Sequence, residues 1–397
     1  MLGIKGDCGM AGNWYSQMIR DVNDKIKRQY ITPIQIQHDD EYKSHLSELY
    51  TDIQKDLLKN NAPDSFVVCI EHYAKAILNA VEYQYTGNVA AAQLEMDQLL
   101  DDLLAEDTGV AVSAIKNSIS FLDVDDALSG GENDIQFFRA RTSDNFIVYD
   151  REDMLHIPFD KRYLVSTERF SIPGLPCLYL GTSSYGCWLE IGAPADSCFN
   201  VSAIELDNEN RILNLTVTSE MLEYCIEKQI AGEDTVLSLF KLWLLTIATS
   251  YKVNQDKRSF KSEYVIPQLL MLSCKKKNLY GTAYYSKQLK DDRFANRVSV
   301  NLAIIADYHG ESKLSSICKR IKLSRSYNYA MFKNLMASLK YRQIYLNVDN
   351  SRYIVNIGDF ERQVPYRETE FYEFDMYLFA QLEKERQYID VDEINNR

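Results

Sequence analysis

The chain has 397 residues, enough for two or three domains, and its 46% hydrophobic content excludes general disorder. The most apolar run, VLSLFKLWLLTIA from Val236 to Ala248, falls short of the roughly 18 residues of a membrane span and contains Lys241, so it predicts a buried helix. The net charge of −13 belongs to residues 1–134, where 23 Asp and Glu face 10 Lys and Arg; the remainder is neutral, which marks off an acidic unit.

Residues 1–134 read as helices. Apolar residues recur at helical spacing in Trp14–Tyr30, Glu41–Lys59, Phe66–Tyr85 and Val89–Glu106. Thr86-Gly87-Asn88 stops one helix and starts the next. LSGGEND, from Leu128 to Asp134, reads as a linker and sets the first domain boundary. From Ile135 the texture changes to short β-rich runs: IQFFRAR, FIVYD, LPCLYLG, FNVSAIEL and RILNLTV. Helices return between about Ser219 and Val253, followed by YVIPQLLMLSCKKK, where Pro267 suits a first turn. The strand-like YGTAYYS comes next. The expected fold class is α+β: a helical domain over 1–134, a mixed β core with flanking helices over 135–306, and an extension over 307–397. In that extension Lys313–Lys340 predicts two helices, and IYLNVDNSRYIVNI predicts a hairpin turning at VDNS.

Eight cysteines form no Cys-x-x-Cys pair, and the first residues carry no basic, then apolar, export pattern. Reduced thiols in a cytoplasm are expected. Five scattered histidines, none at i, i+4 spacing, predict no metal site. Walker A, G-x-G-x-x-G and G-x-S-x-G patterns are all missing, which removes support for ordinary nucleotide hydrolysis and acyl transfer.

What remains is polar residues set in strand-like apolar text: Arg139 in FFRAR, Arg169 and Tyr179 in RFSIPGLPCLYLG, Glu190 after Trp188-Leu189, and Ser286 closing GTAYYS. Buried charges pair with each other or with a ligand. Arg139 with Glu190 could be a structural ion pair; two arginines against one glutamate leave a positive surplus that suits phosphate or pyrophosphate. Trp188 and Trp243 read as core. Residues 311–345 carry eight Lys and Arg against Glu311, a basic face that could dock on the acidic segment or on DNA.

Taken together, FFRAR, MLHIPF, RFSIPGLPCLYLG with Glu190 downstream, EYVIPQLL and YGTAYYS resemble the RES-domain family over roughly Ile135 to Ala306. The helical segment before them is similar to a fused subgroup. GTAYYS carries Ala283 and Tyr284 where an Ile-Arg-Tyr-like run is common, and Lys287 where a second serine often follows. The resemblance implies an ADP-ribosyltransferase-like core that consumes NAD as a substrate, without metal, as a toxin or a phage-defence effector. It implies Glu190, Arg139 and Arg169 as catalytic residues, with Tyr179, Ser286 and His156 binding NAD. Implied partners are NAD, phosphate as an acceptor, an antitoxin or regulatory protein, and a second copy of the chain; no membrane is implied. The open alternatives are a regulator that binds NAD, ADP-ribose or DNA without turnover, and a transferase that labels a macromolecule.

Overall fold

The computed structural model describes residues 13–106, 108–115, 137–206, 210–229, 231–255, 257–289, 297–310, 312–338, 354–357, 362–385 and 394–395. The helices are α1 (Asn13–Ile19), α2 (Glu41–Lys59), α3 (Asp64–Tyr85), α4 (Val89–Ala105), α5 (Ser184–Glu190), α6 (Ser219–Glu227), α7 (Glu233–Thr249), α8 (Val265–Lys276), α9 (Tyr329–Ser338) and α10 (Glu370–Glu385). The strands are β1 (Ile34–Ile36), β2 (Val112–Ala114), β3 (Phe137–Thr142), β4 (Cys177–Gly181), β5 (Phe199–Glu205), β6 (Arg211–Leu215), β7 (Tyr251–Val253), β8 (Gly281–Tyr285), β9 (Val300–Ile305), β10 (Lys322–Leu323), β11 (Tyr327–Asn328), β12 (Ile354–Ile357) and β13 (Arg362–Pro365). The fold is α+β with helices first, and among the described residues no helix is long and apolar enough to cross a membrane.

Contacts divide the chain into two units: Met1–Val112 with Leu215–Ser273, and Ser113–Asn214 with Cys274–Arg397. This differs from three successive segments, and α7 supplies the reason. It is buried on every side from Val236 to Thr249 apart from Leu237's half-buried position, and a helix apolar all round must be surrounded. Earlier helices of its own unit surround it. Trp243 packs on Tyr15 and Tyr30 with ring centroids 6.1 and 5.9 Å apart, and Phe240 packs on Phe66 at 5.2 Å. The hydroxyls of Tyr42 and Tyr50 donate to the α7 carbonyls of Ala248 and Leu244, each at 2.8 Å. Lys241 Nζ donates to Asp102 at 2.7 Å and to Glu106, so part of the acidic excess serves a buried cation. The predicted helix Trp14–Tyr30 stops at Ile19, because Asp21 turns back to accept the Asn23 and Lys25 N–H groups and Asp24 takes φ 58°.

The second unit holds a sheet of order β10-β5-β3-β4-β9-β8-β6-β2, with β11 also on β5. Its pairings β5–β3, β3–β4, β4–β9 and β9–β8 are antiparallel. Strand alternation sends neighbouring residues to opposite cores. Phe137 joins Leu178, Leu180, Leu302 and Ile304, while Phe138 joins Val201, Ala203, Tyr185, Cys187 and Phe374. The C-terminal residues are part of this sheet unit. β10 and β11 close the edge of β5, and α9 and α10 contribute Phe332, Phe371 and Phe374 to the Phe138 core.

Among the described residues, Lys313–Lys340 contains one α-helix, α9, preceded by a 3-10 turn and the two short strands; α10 follows later in the chain. β12 pairs with β13, while the predicted VDNS turn and the LSGGEND linker lie outside the described residues. FIVYD is a turn and not a strand: Phe146 takes φ 60°, and Phe146, Ile147 and Val148 are exposed. Several basic residues of 311–345 meet acids of their own unit. Lys322 pairs with Glu205, Lys333 with Asp196 and Glu370, and Arg325 with Glu385.

Candidate active site

Glu190 ends α5, a two-turn helix fixed at its start. Ser183 caps it, accepting the Gly186 N–H at 2.8 Å and donating its hydroxyl to the Val298 carbonyl. A Cβ on Gly186 would stand 2.8 Å from that carbonyl, so only glycine lets the helix lie this close to the backbone before β9. At the other end, Glu190 Oε2 accepts from Ser286 Oγ and from Asn301 Nδ2, the latter at 3.1 Å. Among the described residues Oε1 has no donor, and the side chain is half-buried, so one oxygen is held and the other is available.

Arg169 belongs to the same neighbourhood. Its Nη2 donates to the carbonyl of Tyr285, next to Ser286, at 2.9 Å. Its guanidinium lies 4.9 Å from the Phe170 ring and 4.7 Å from the Tyr284 ring, which stack on each other at 4.2 Å. Burial pushes the Tyr284 phenol well up; Glu190 adds to that rise and Arg169 opposes it, so this ring lies in the field of both.

Tyr179 and Arg139 continue the chain of contacts. The Tyr179 hydroxyl donates to the Phe170 carbonyl at 3.0 Å, and burial raises its pKa. β3 and β4 are in register at Phe138↔Gly181; beyond that pair the Tyr179 carbonyl is met by Arg139 Nη1 at 2.8 Å. Arg139 Nε is buried and has no partner among the described residues. Burial, helped by Arg141, lowers this guanidinium to about 10. A half-buried cation with an enclosed, unmet Nε donor is suited to an anionic ligand.

The structure thus links Glu190, Ser286, Arg169, Tyr179 and Arg139 through short contacts. It does not pair Arg139 with Glu190; among the described residues neither is in an ion pair. His156 stands apart, with both ring nitrogens used within the protein. Nε2 accepts the Ser315 N–H at 3.0 Å, which leaves the proton on Nδ1 to donate to the Ile157 carbonyl at 2.8 Å. Burial lowers its pKa, and the Arg139 charge adds to that. Trp243 is in the core, whereas Trp188 is half-buried against Phe371.

Three residues of this neighbourhood escaped the sequence reading: Asn301, Tyr284 and Phe170. The signal for Asn301 was a lone amide in VNLAII, a strand buried at every position. Among the described residues no group of three or more His, Cys, Asp or Glu is placed to hold a metal.

No family model matches the chain. The chain is 31% identical over 277 residues to the protein named "Putative toxin YopC" of Bacillus subtilis (strain 168). That match takes in 66% of this chain, and the chain spans 60% of the length of that relative. A crystal structure of the M. tuberculosis MbcT-MbcA toxin-antitoxin complex matches over 61% of this chain and 97% of the solved one, at 13% identity and a TM-score of 0.31. A likeness at that score carries no argument.

Proposed function

We propose that the sheet unit binds NAD and cleaves the bond between nicotinamide and ribose, and that the chain is a growth-arresting toxin of the RES type. The observation that carries the chemistry is Glu190, with one oxygen held by Ser286 and Asn301 and the other open. Cleavage of this bond develops positive charge on the ribose. A carboxylate aimed at that charge stabilises it, and one locked by two donors loses little in reorganising. Nicotinamide leaves as a neutral molecule, so no strong acid is required of the protein. The electron pair of the broken bond goes to the nicotinamide ring nitrogen, and the ribosyl carbon then takes an oxygen of water or phosphate. Arg139 and Arg169 supply positive charge for the pyrophosphate, which fixes the ribose relative to Glu190. The toxin part of the reading is supported by the name of the Bacillus relative.

The test is to incubate the purified full chain with NAD, with and without phosphate, and to separate the products. Free nicotinamide is expected. ADP-ribose would identify water as the acceptor, ADP-ribose 1-phosphate would identify phosphate, and label on a macromolecule would identify a transferase. Glu190→Gln is expected to keep the fold and lose at least about 100-fold in rate, the scale of removing a group aimed at transition-state charge. A variant that consumes NAD as fast as the wild type would overturn the mechanism.

A further inference from the structure

Helix α10 reaches the helix that carries Glu190. Asp375 on α10 is 2% exposed and, among the described residues, has no cationic partner. Its carboxylate accepts the backbone N–H of Ser184, the first residue of α5, at 2.9 Å, and the hydroxyl of Tyr366 at 2.6 Å. Six residues beyond Ser184 the same helix ends in Glu190. A two-turn helix does not sustain itself in water, so what its first turn is tied to decides where its last residue is presented.

We propose that Asp375 is a positioning residue for Glu190: as a carboxylate it ties the start of α5 to α10 and so sets the direction in which Glu190 faces its substrate. The kinetic consequence rests on the reading of Glu190 given above; the tie itself does not.

The group is poised to make that tie depend on pH. Burial pushes the Asp375 carboxyl up to about 7, against the pull of its hydrogen bonds from Ser184 and Tyr366. The titratable groups that face it are the phenols of Tyr366, Tyr329 and Tyr372 and the thiol of Cys187. Burial raises all four, Cys187 to about 12, so each is neutral where the carboxyl titrates. Once protonated, Asp375 carries a donor where it now only accepts, and the hold on the Ser184 N–H or the Tyr366 hydroxyl weakens. The sign for stability follows from a folded pKa raised above the ordinary 3.8. The folded state binds the proton more tightly, so stability is lost as pH rises from about 4 to about 7. A carboxylate kept at that cost, in contact with the helix of Glu190, is accounted for by a positioning role.

The test uses the full chain as wild type, Asp375→Asn and Tyr366→Phe, with two readouts across about pH 5 to 8. Amide hydrogen exchange over Ser184–Glu190, corrected for intrinsic rate, reads the tie directly. Asp375→Asn is expected to speed it roughly tenfold, the loss of about one buried hydrogen bond. Steady-state NAD cleavage reads the consequence. Wild-type kcat is expected to rise as Asp375 ionises, with KM nearly constant, and Asp375→Asn to be low and flat with pH. Tyr366→Phe removes a donor that holds the carboxyl down, so its kcat limb moves to higher pH; this variant also serves if Asp375→Asn fails to fold. Unchanged exchange in both variants overturns the tie. A limb that stays put in Tyr366→Phe overturns the kinetic consequence. A wild type that releases no nicotinamide while Asp375→Asn still exchanges faster supports the tie and overturns the NAD reading.

Discussion

Two donors on Oε2 and none on Oε1 give Glu190 a direction, and Asn301 is half of what sets it. Asn301→Ala leaves Ser286 as the remaining donor on a carboxylate that can then swing. The expected outcome is a fall in kcat of roughly 10- to 100-fold with KM little changed, the pattern of an interaction used in the transition state and not in ground-state binding. Stability is expected to fall by only about 1 kcal/mol, the usual net worth of one hydrogen bond. An unaltered kcat would show that Asn301 does not hold the reacting carboxylate. Glu190 and Ser286 were legible because each ends a recognisable run, WLE and GTAYYS, and the structure brings them into contact although 96 residues separate them. Asn301 was not legible, because a single amide in VNLAII gives a burial signal without naming its partner. Spacing along the chain also could not say that Arg139 meets the Tyr179 carbonyl and not Glu190, because that depends on where β3 and β4 part.

At the scale of elements, α5 is a short lever with a glycine at its contact point. Gly186→Ala would drive a Cβ to 2.8 Å from the Val298 carbonyl, which is backbone and gives way only if helix or strand shifts. The expected cost is about 1–3 kcal/mol, as for other overpacking changes, with loss of most NAD cleavage because Glu190 moves with its helix. Melting temperature and kcat measured on the same protein check this; full activity in a folded Gly186→Ala would remove the lever argument. The strands β3, β4, β5, β6 and β8 were legible in their alternating or wholly apolar text, and α2, α3 and α4 in their 3.6-residue periodicity, whereas β9 went unread. FIVYD misled because a three-residue apolar run has no period to test, and here it lies exposed in a turn. Ile317 to Leu323 misled in the other direction: its apolar spacing suits a helix, yet Ser316–Arg320 form only a 3-10 turn and the open edge of β5 takes up Lys322 and Leu323 as β10.

Across the whole chain, the acidic excess of residues 1–134 marks off one segment in the sequence, whereas contacts group Met1–Val112 with Leu215–Ser273, because the helix that these residues surround comes from 233–249. The clue was the run VLSLFKLWLLTIA itself. A helix with no polar face needs cover on all sides, and its one cation needs acids. Asp102 and Glu106, both within the acidic stretch, are the acids that Lys241 meets. It follows that a fragment of residues 135–397, cut where the linker reading would place a domain boundary, keeps α7 but loses the helices that bury it. Phe240, Trp243 and Leu244 would face water, each at about 1.5–3 kcal/mol of lost burial, and Lys241 would lose its carboxylates. The expected outcome is aggregation of that fragment, seen as elution in the void volume on size exclusion and loss of near-ultraviolet ellipticity, under conditions where the full chain runs as a defined species. A monodisperse 135–397 with native near-ultraviolet signals would mean that α7 can be buried without the N-terminal helices, and the division of the chain into these two units would have to be redrawn.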